Sequence, residues 1–135
     1  MERKSIDEIL QKIAKIEFSE EFDMVVAIAN GGIIPAALVN QRLNLDFQII
    51  KINFKDEYQR IRYKEPKLIQ PIDFHFVGQR ILLIDDRVKT GETLKTAKFL
   101  LKEAKLIKTL AVNGKADYKL YDENCFLFPW NYPFR

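Results

Sequence analysis

A chain of 135 residues with 47% apolar and 30% charged residues has the size and mix of one soluble globular domain spanning 1–135, able to bury about two-thirds of its unfolded surface. The net charge of +3 is mild and its basic residues are scattered, which suits a small anionic ligand and gives no ground for a nucleic acid partner. The single cysteine, Cys125, excludes an intrachain disulfide, and its apolar surroundings predict burial. The lone His75 has no cysteine or histidine partners for zinc, and no apolar run nears the roughly eighteen residues needed to cross a bilayer, so a cytoplasmic protein without a membrane partner is expected.

Along the chain, Ser5-Ile6-Asp7-Glu8 reads as a capping box. Ile6, Ile9, Leu10, Ile13 and Ile16 then recur at helical spacing, predicting an amphipathic helix to about Phe18. Val25 to Ala29 is a short apolar run ending in Asn30-Gly31-Gly32, which predicts a buried strand entering a tight turn. Pro35 suits a first helical turn, and the helix behind it is expected to run to about Asn44. Phe47 to Phe54 predicts a second strand. From Lys55 to Pro71 charges mix with Tyr58, Ile61 and Tyr63 without a lasting period, and long irregular segments of this kind are usually functional or disordered. A central strand is predicted over Arg80 to Ile84, followed by a helix marked by Leu94, Ala97, Leu100, Leu101 and Ala104. Ile107 to Val112 predicts another strand, and Phe126 to Phe128 a last short one. Strands alternating with helices point to an α/β fold with a parallel sheet.

The most specific stretch is Ile81 to Thr93, ILLIDDRVKTGET. Four apolar residues fit a strand covered on both faces. Asp85 and Asp86 then emerge at its C-terminal end, where open α/β sheets bind ligands. Thr90, Gly91 and Thr93 supply backbone N–H groups and hydroxyls at the next helix N-terminus, a setting for a phosphate. Adjacent carboxylates repel unless hydroxyl donors or a cation compensate them. Together these features fit a phosphorylated sugar.

The stretch resembles, position for position, the phosphoribosyl pyrophosphate (PRPP) signature of type I phosphoribosyltransferases. The resemblance implies that family's parallel-sheet fold with flanking helices, a flexible hood and a short C-terminal base-binding segment. It also implies transfer of a 5-phosphoribosyl group from PRPP to a nucleobase, with pyrophosphate release and Mg²⁺ as cofactor. Asp85 and Asp86 fall on the acids that bind the ribose hydroxyls and, in some members, the metal; Lys89, Thr90, Gly91, Glu92 and Thr93 fall on the 5′-phosphate loop. ANGGIIPA, Ala29 to Ala36, resembles the family's pyrophosphate loop, which places Asn30 and Gly31 against PRPP and implies a cis peptide between Ala29 and Asn30. FLFPW, Phe126 to Trp130, resembles the end of xanthine-guanine and related 6-oxopurine enzymes, where the Trp stacks on the purine; Lys115 is the candidate donor to its exocyclic oxygen. The segment from Lys55 to Pro71 matches the mobile hood, and Arg60, Arg62, Lys64 and Lys67 are its candidate cations for pyrophosphate. Relatives are commonly homo-oligomers.

Three residues depart from the pattern. Lys89 stands where 6-oxopurine enzymes usually carry an Asp near purine N7, Arg87 replaces a usually apolar residue, and Asn30 supplies no charge where many relatives place Arg or Lys. Lys89 and Asn30 favour an alternative within the same fold, a catalytically degenerate protein that binds PRPP or a nucleotide in a regulatory role. A flavodoxin-like phosphate receiver also uses paired acids, a Thr and a Lys, but its acid pair follows the first strand, not a mid-chain one.

Overall fold

A computed structural model describes residues 1–53, 67–68 and 70–132. In chain order the elements are α1 (Ile6–Lys15), β1 (Met24–Ala29), α2 (Ile33–Leu43), β2 (Asp46–Asn53), β3 (Lys67–Leu68), β4 (Arg80–Val88), α3 (Glu92–Leu100), β5 (Leu106–Gly114) and β6 (Tyr118–Tyr121). They build a six-stranded sheet in the order β3-β2-β1-β4-β5-β6. Every neighbouring pair is parallel except β2 and β3, so the parallel α/β sheet expected from the sequence carries one short antiparallel edge.

The apolar runs make β1 and β4 the centre of this sheet. All six residues of β1 and Ile81 to Asp85 of β4 are buried. Side-chain alternation divides each run between two cores. Val25, Ala27, Leu82, Ile84, Leu110 and Val112 pack under α1 and α2 with Ile9, Ile13, Ala36, Val39, Phe126 and Phe128. Met24, Val26, Ile28, Ile81 and Leu83 face the other way, onto Leu94, Ala97 and Leu101.

Several boundaries differ from expectation for identifiable reasons. The capping box is present, with the Glu8 N–H donating to Ser5 Oγ at 3.1 Å and the Ser5 N–H to Glu8 Oε1 at 3.3 Å. The helix nevertheless stops at Lys15 instead of reaching Phe18, because Ile16 turns extended and Phe18 packs edge-on against Phe22 and Tyr118. Strand β4 continues through both acids to Val88, while α3 ends at Leu100, short of Ala104. Strand β6 was not legible, since the four residues Tyr-Lys-Leu-Tyr give no apolar run. It returns parallel to β5 after only three residues, 115–117, and the reversal is stapled: the Thr109 N–H and hydroxyl donate to Asp117 Oδ2 at 2.8 and 3.0 Å, and the Asp117 N–H donates to Thr109 Oγ1 at 3.0 Å. Gly114 opens this reversal at φ +123°, and a Cβ there would strike the Val88 carbonyl.

The strand expected over Phe126 to Phe128 is instead a single parallel bridge from Leu127 to Arg3, near the N-terminus. Cys125 is exposed rather than buried, because it closes a polar turn with Asp122, Glu123 and Asn124, all exposed. Of the proposed hood cations, Arg60, Arg62 and Lys64 lie outside the described residues, and Lys67 falls on β3.

Candidate functional site

Strands β1 and β4 lie side by side at the sheet centre, and their C-terminal ends bring the glycine loop and the acid pair together. Asp85, 9% exposed, accepts the Asp86 N–H at 2.8 Å, and among the described residues no ion pair reaches it. Burial, reinforced by the Asp86 charge, pushes its carboxyl up to about 8. Asp86 accepts the Arg87 N–H at 2.6 Å and lies against Gly31, where a Cβ would collide with its carboxylate. A Cβ on Gly32 would strike the main-chain carbonyls of Ile84 and Ile28. Both glycines are thus needed for close approach of the loop to β4. The Ala29–Asn30 peptide is cis, and Asn30 is exposed at the loop tip.

Past Val88 the chain turns through Lys89 and Thr90 into α3. Gly91, at φ +86°, caps that helix without a side-chain bond. Thr90 Oγ1 accepts the Glu92 N–H at 3.3 Å, and the N–H groups of Thr93 and Leu94 have no acceptor within the first helical turn. These donors face the setting in which an anion is favoured. Asp85, Arg87, Val88, Lys89, Thr90, Gly91, Thr93 and Leu94 line one cleft of about 280 Å³.

The cleft therefore gathers Asp85, Lys89, Thr90, Gly91 and Thr93, while Glu92 is exposed beside it and Asn30 and Gly31 adjoin through Asp86. Lys115 is placed elsewhere, on the α3 flank, sharing a shallow depression with Gly91, Lys95, Lys98 and Thr109. Trp130 lies with the α1/α2 core, half-buried and stacked on Phe128 at 5.1 Å and 15°. The residue that joins these parts is Arg87, which sequence reasoning noted only as a departure. Its Nη2 donates to the Phe126 carbonyl at 2.6 Å and its guanidinium sits 4.6 Å from the Phe128 ring centre. An arginine closing an apolar-acid run was the available signal.

Among the described residues no three His, Cys, Asp or Glu side chains gather into a metal cage. Two adjacent carboxylates beside a turn with free N–H groups fit instead a hard cation such as Mg²⁺, which takes one or two carboxylates and completes its shell with phosphate oxygens and water. No described helix is long and apolar enough to cross a membrane.

Residues 2–131 match the phosphoribosyl transferase domain family. A xanthine-guanine phosphoribosyltransferase from Chromohalobacter salexigens is 31% identical over 117 residues, covering 82% of this chain and 70% of that protein. An adenine phosphoribosyltransferase from Nitrosomonas europaea is 34% identical over 109 residues, covering 76% of this chain and 60% of that protein. The crystal structure of a purine phosphoribosyltransferase from Pyrococcus horikoshii Ot3 shares the fold, with a TM-score of 0.80 over 98% of this chain and 96% of that one at 22% identity. With nearly its whole length inside the match, the chain belongs to the phosphoribosyl transferase family and is an enzyme of the type I fold, a pentosyl-transferring glycosyltransferase.

Proposed function

We propose that the protein transfers the 5-phosphoribosyl group of PRPP to a 6-oxopurine and releases pyrophosphate. The observation that carries this reading is the shared cleft, in which a buried carboxylate and an uncapped helix N-terminus line one cavity of about 280 Å³. Asp85 and Asp86 accept hydrogen bonds from the ribose hydroxyls, which adds donors to two crowded carboxylates that each accept one backbone N–H. The Thr93 and Leu94 N–H groups and the Thr90 and Thr93 hydroxyls hold the 5′-phosphate, with Lys89 neutralising its charge. The Asn30-Gly31 turn lies beside Asp86 and receives the pyrophosphate.

A purine N–H nitrogen attacks C1 of the ribose as the bond from C1 to the pyrophosphate oxygen breaks; the pair of electrons leaves with pyrophosphate and the nitrogen's proton passes to solvent. Fixing the ribose at both ends holds C1 in line between base and leaving group, the largest share of catalysis such a site supplies. Asp85 and Asp86 would hold Mg²⁺, which would supply positive charge against the pyrophosphate oxygens. Trp130, backed by Phe128, stacks on the base. Lys115 donates to the purine oxygen only if its exposed side chain reaches over Gly91 from the α3 flank.

The test is formation of nucleotide and pyrophosphate from PRPP with Mg²⁺ and guanine, hypoxanthine, xanthine or adenine. GMP, IMP or XMP supports the reading, and AMP alone replaces the 6-oxopurine with a 6-aminopurine. A second reading, a PRPP or nucleotide sensor, is favoured by Lys89, which lines the cleft where an acid would accept a proton from the base. PRPP raising the melting temperature with no product from any of the four bases selects that reading.

A further inference from the structure

Residues 126–131 belong to no strand, and their main-chain pairing is to the N-terminal residues and not to the site. The Lys4 N–H donates to the Leu127 carbonyl at 3.0 Å, and the Leu127 N–H donates to the Glu2 carbonyl at 2.7 Å. Arg3 adds Nη1 bonds to the Phe128 and Asn131 carbonyls at 3.0 and 2.6 Å. All of these hold the segment to the far end of the chain. None fixes it relative to Asp85, Asp86 or the phosphate turn.

Arg87 does. It follows the acid pair directly, lines the same cleft, and reaches the segment twice, through the Phe126 carbonyl at 2.6 Å and over the Phe128 ring at 4.6 Å. Phe128 in turn carries Trp130. The guanidinium and the indole therefore act on one ring, and the path from acid to tryptophan is a single chain of contacts: Asp86, Arg87, Phe128, Trp130. Among the described residues, Arg87 Nε is buried with no acceptor, as is Trp130 Nε1. An aliphatic side chain would pack on Phe128 without an unsatisfied donor, so packing alone does not account for an arginine here.

We propose that Arg87 is a positioning residue that sets the distance between the phosphoribosyl cleft and the Trp130 base platform. The proposal rests on the transferase reading above, and it predicts a selective defect. Losing the tie lets the tryptophan drift relative to C1 while leaving the phosphate turn intact. Misplacement of about 1 Å costs up to roughly a hundredfold in rate.

The experiment compares wild type, Arg87→Leu and Arg87→Lys in steady-state kinetics, with PRPP and whichever of guanine, hypoxanthine, xanthine and adenine wild type uses best. Arg87→Leu should raise KM for the base about tenfold or more, with KM for PRPP little changed, and Arg87→Lys should recover part of the loss because it keeps a donor on a long stem. Trp130 is the chain's one tryptophan, so its fluorescence reports the same tie without any substrate. Arg87→Leu should shift its emission to the red and increase quenching by acrylamide, with Arg87→Lys intermediate. Unchanged emission and quenching in Arg87→Leu, or equal increases in both KM values, would overturn the proposal. Should Arg87→Leu not fold, Arg87→Lys carries both readouts alone, and wild-type behaviour in it overturns the proposal. If wild type turns over none of the four bases, the transferase reading fails and the fluorescence comparison still decides the role of Arg87.

Discussion

Strand β4 meets a carboxylate at each of its ends, and the two settings are opposite. At the N-terminal end Asp23 accepts the Arg80 N–H at 2.8 Å, Arg80 Nε at 3.0 Å and Nη2 at 2.8 Å. These side-chain and backbone hydrogen bonds from Arg80 hold its carboxyl down to about 2. At the C-terminal end Asp85 has burial, a like charge next door and one backbone donor, and its carboxyl is pushed up to about 8. One strand thus carries a finished ion pair at one end and an unmet demand for donors or cations at the other. The first arrangement supports the fold by itself. The second makes sense when a ligand completes it, which is why perturbed carboxylates in clefts mark functional sites.

The sharpest way to break that contrast is to neutralise each acid in turn. Asp85→Asn and Asp86→Asn should each lower kcat/KM by about 10²–10³-fold, the scale on which a polar group aimed at the reacting centre contributes. Asp23→Asn should leave kcat/KM unchanged, because its partner Arg80, which also pairs with Glu21, opens β4 at the end opposite the acid pair. Steady-state assays on the three proteins decide it. Wild-type turnover in Asp85→Asn would remove the functional half of the comparison.

The C-terminal end of β4 was far more legible in the sequence than its counterpart. ILLIDD announces itself because a continuous apolar run, two like charges and a Thr-Gly turn are each uncommon and together point to one chemistry. The Asp23–Arg80 pair joins residues 57 apart, one before β1 and one opening β4, and nothing in either neighbourhood signals the other. Strand β6 was missed for a related reason: its partner β5 and the Thr109–Asp117 staple are tertiary facts, whereas YKLY has no pattern of its own. FLFPW is not the strand expected, since an aromatic run and a strand look alike until Arg87 and the N-terminal residues are seen to hold it. The glycine pair gave the loop but not its reason. Only the geometry separates Gly31, which meets a side chain, from Gly32, which meets main chain.

That distinction gives the next prediction. In Gly31→Ala the new methyl group displaces the Asp86 carboxylate, which can rotate, so the fold persists and the site suffers. A fall in kcat/KM of roughly tenfold is expected, with little change in melting temperature. In Gly32→Ala the methyl group meets the Ile84 and Ile28 carbonyls in the middle of the sheet, neither of which can move without disturbing a strand. A loss of about 1–3 kcal/mol in unfolding free energy is expected from overpacking of this kind. Urea denaturation and steady-state kinetics on both variants separate the two effects. Equal stability losses in both would mean that Asp86 is as rigidly fixed as the backbone.

The smallest expected effect is on the pH dependence of stability, where the two ends of β4 should pull in opposite directions. Asp23 has a folded-state pKa near 2, against roughly 4 in an unfolded chain, so its contribution is present above about pH 4 and is lost as pH falls toward 2. Asp85 has a folded-state pKa near 8, so its protonated form is the one the fold prefers, and stability tied to it declines as pH rises from about 4 through 8. Asp23→Asn should therefore flatten the acid side of the melting-temperature profile and leave the alkaline side alone. Asp85→Asn should do the reverse and, with chelator present and no nucleotide, melt above wild type at about pH 9, trading away function for a buried amide that carries no charge. PRPP with Mg²⁺ should erase that advantage, because it gives the wild-type carboxylate hydroxyl and cation partners. Parallel profiles for the two variants would show that the ends of β4 are electrostatically alike.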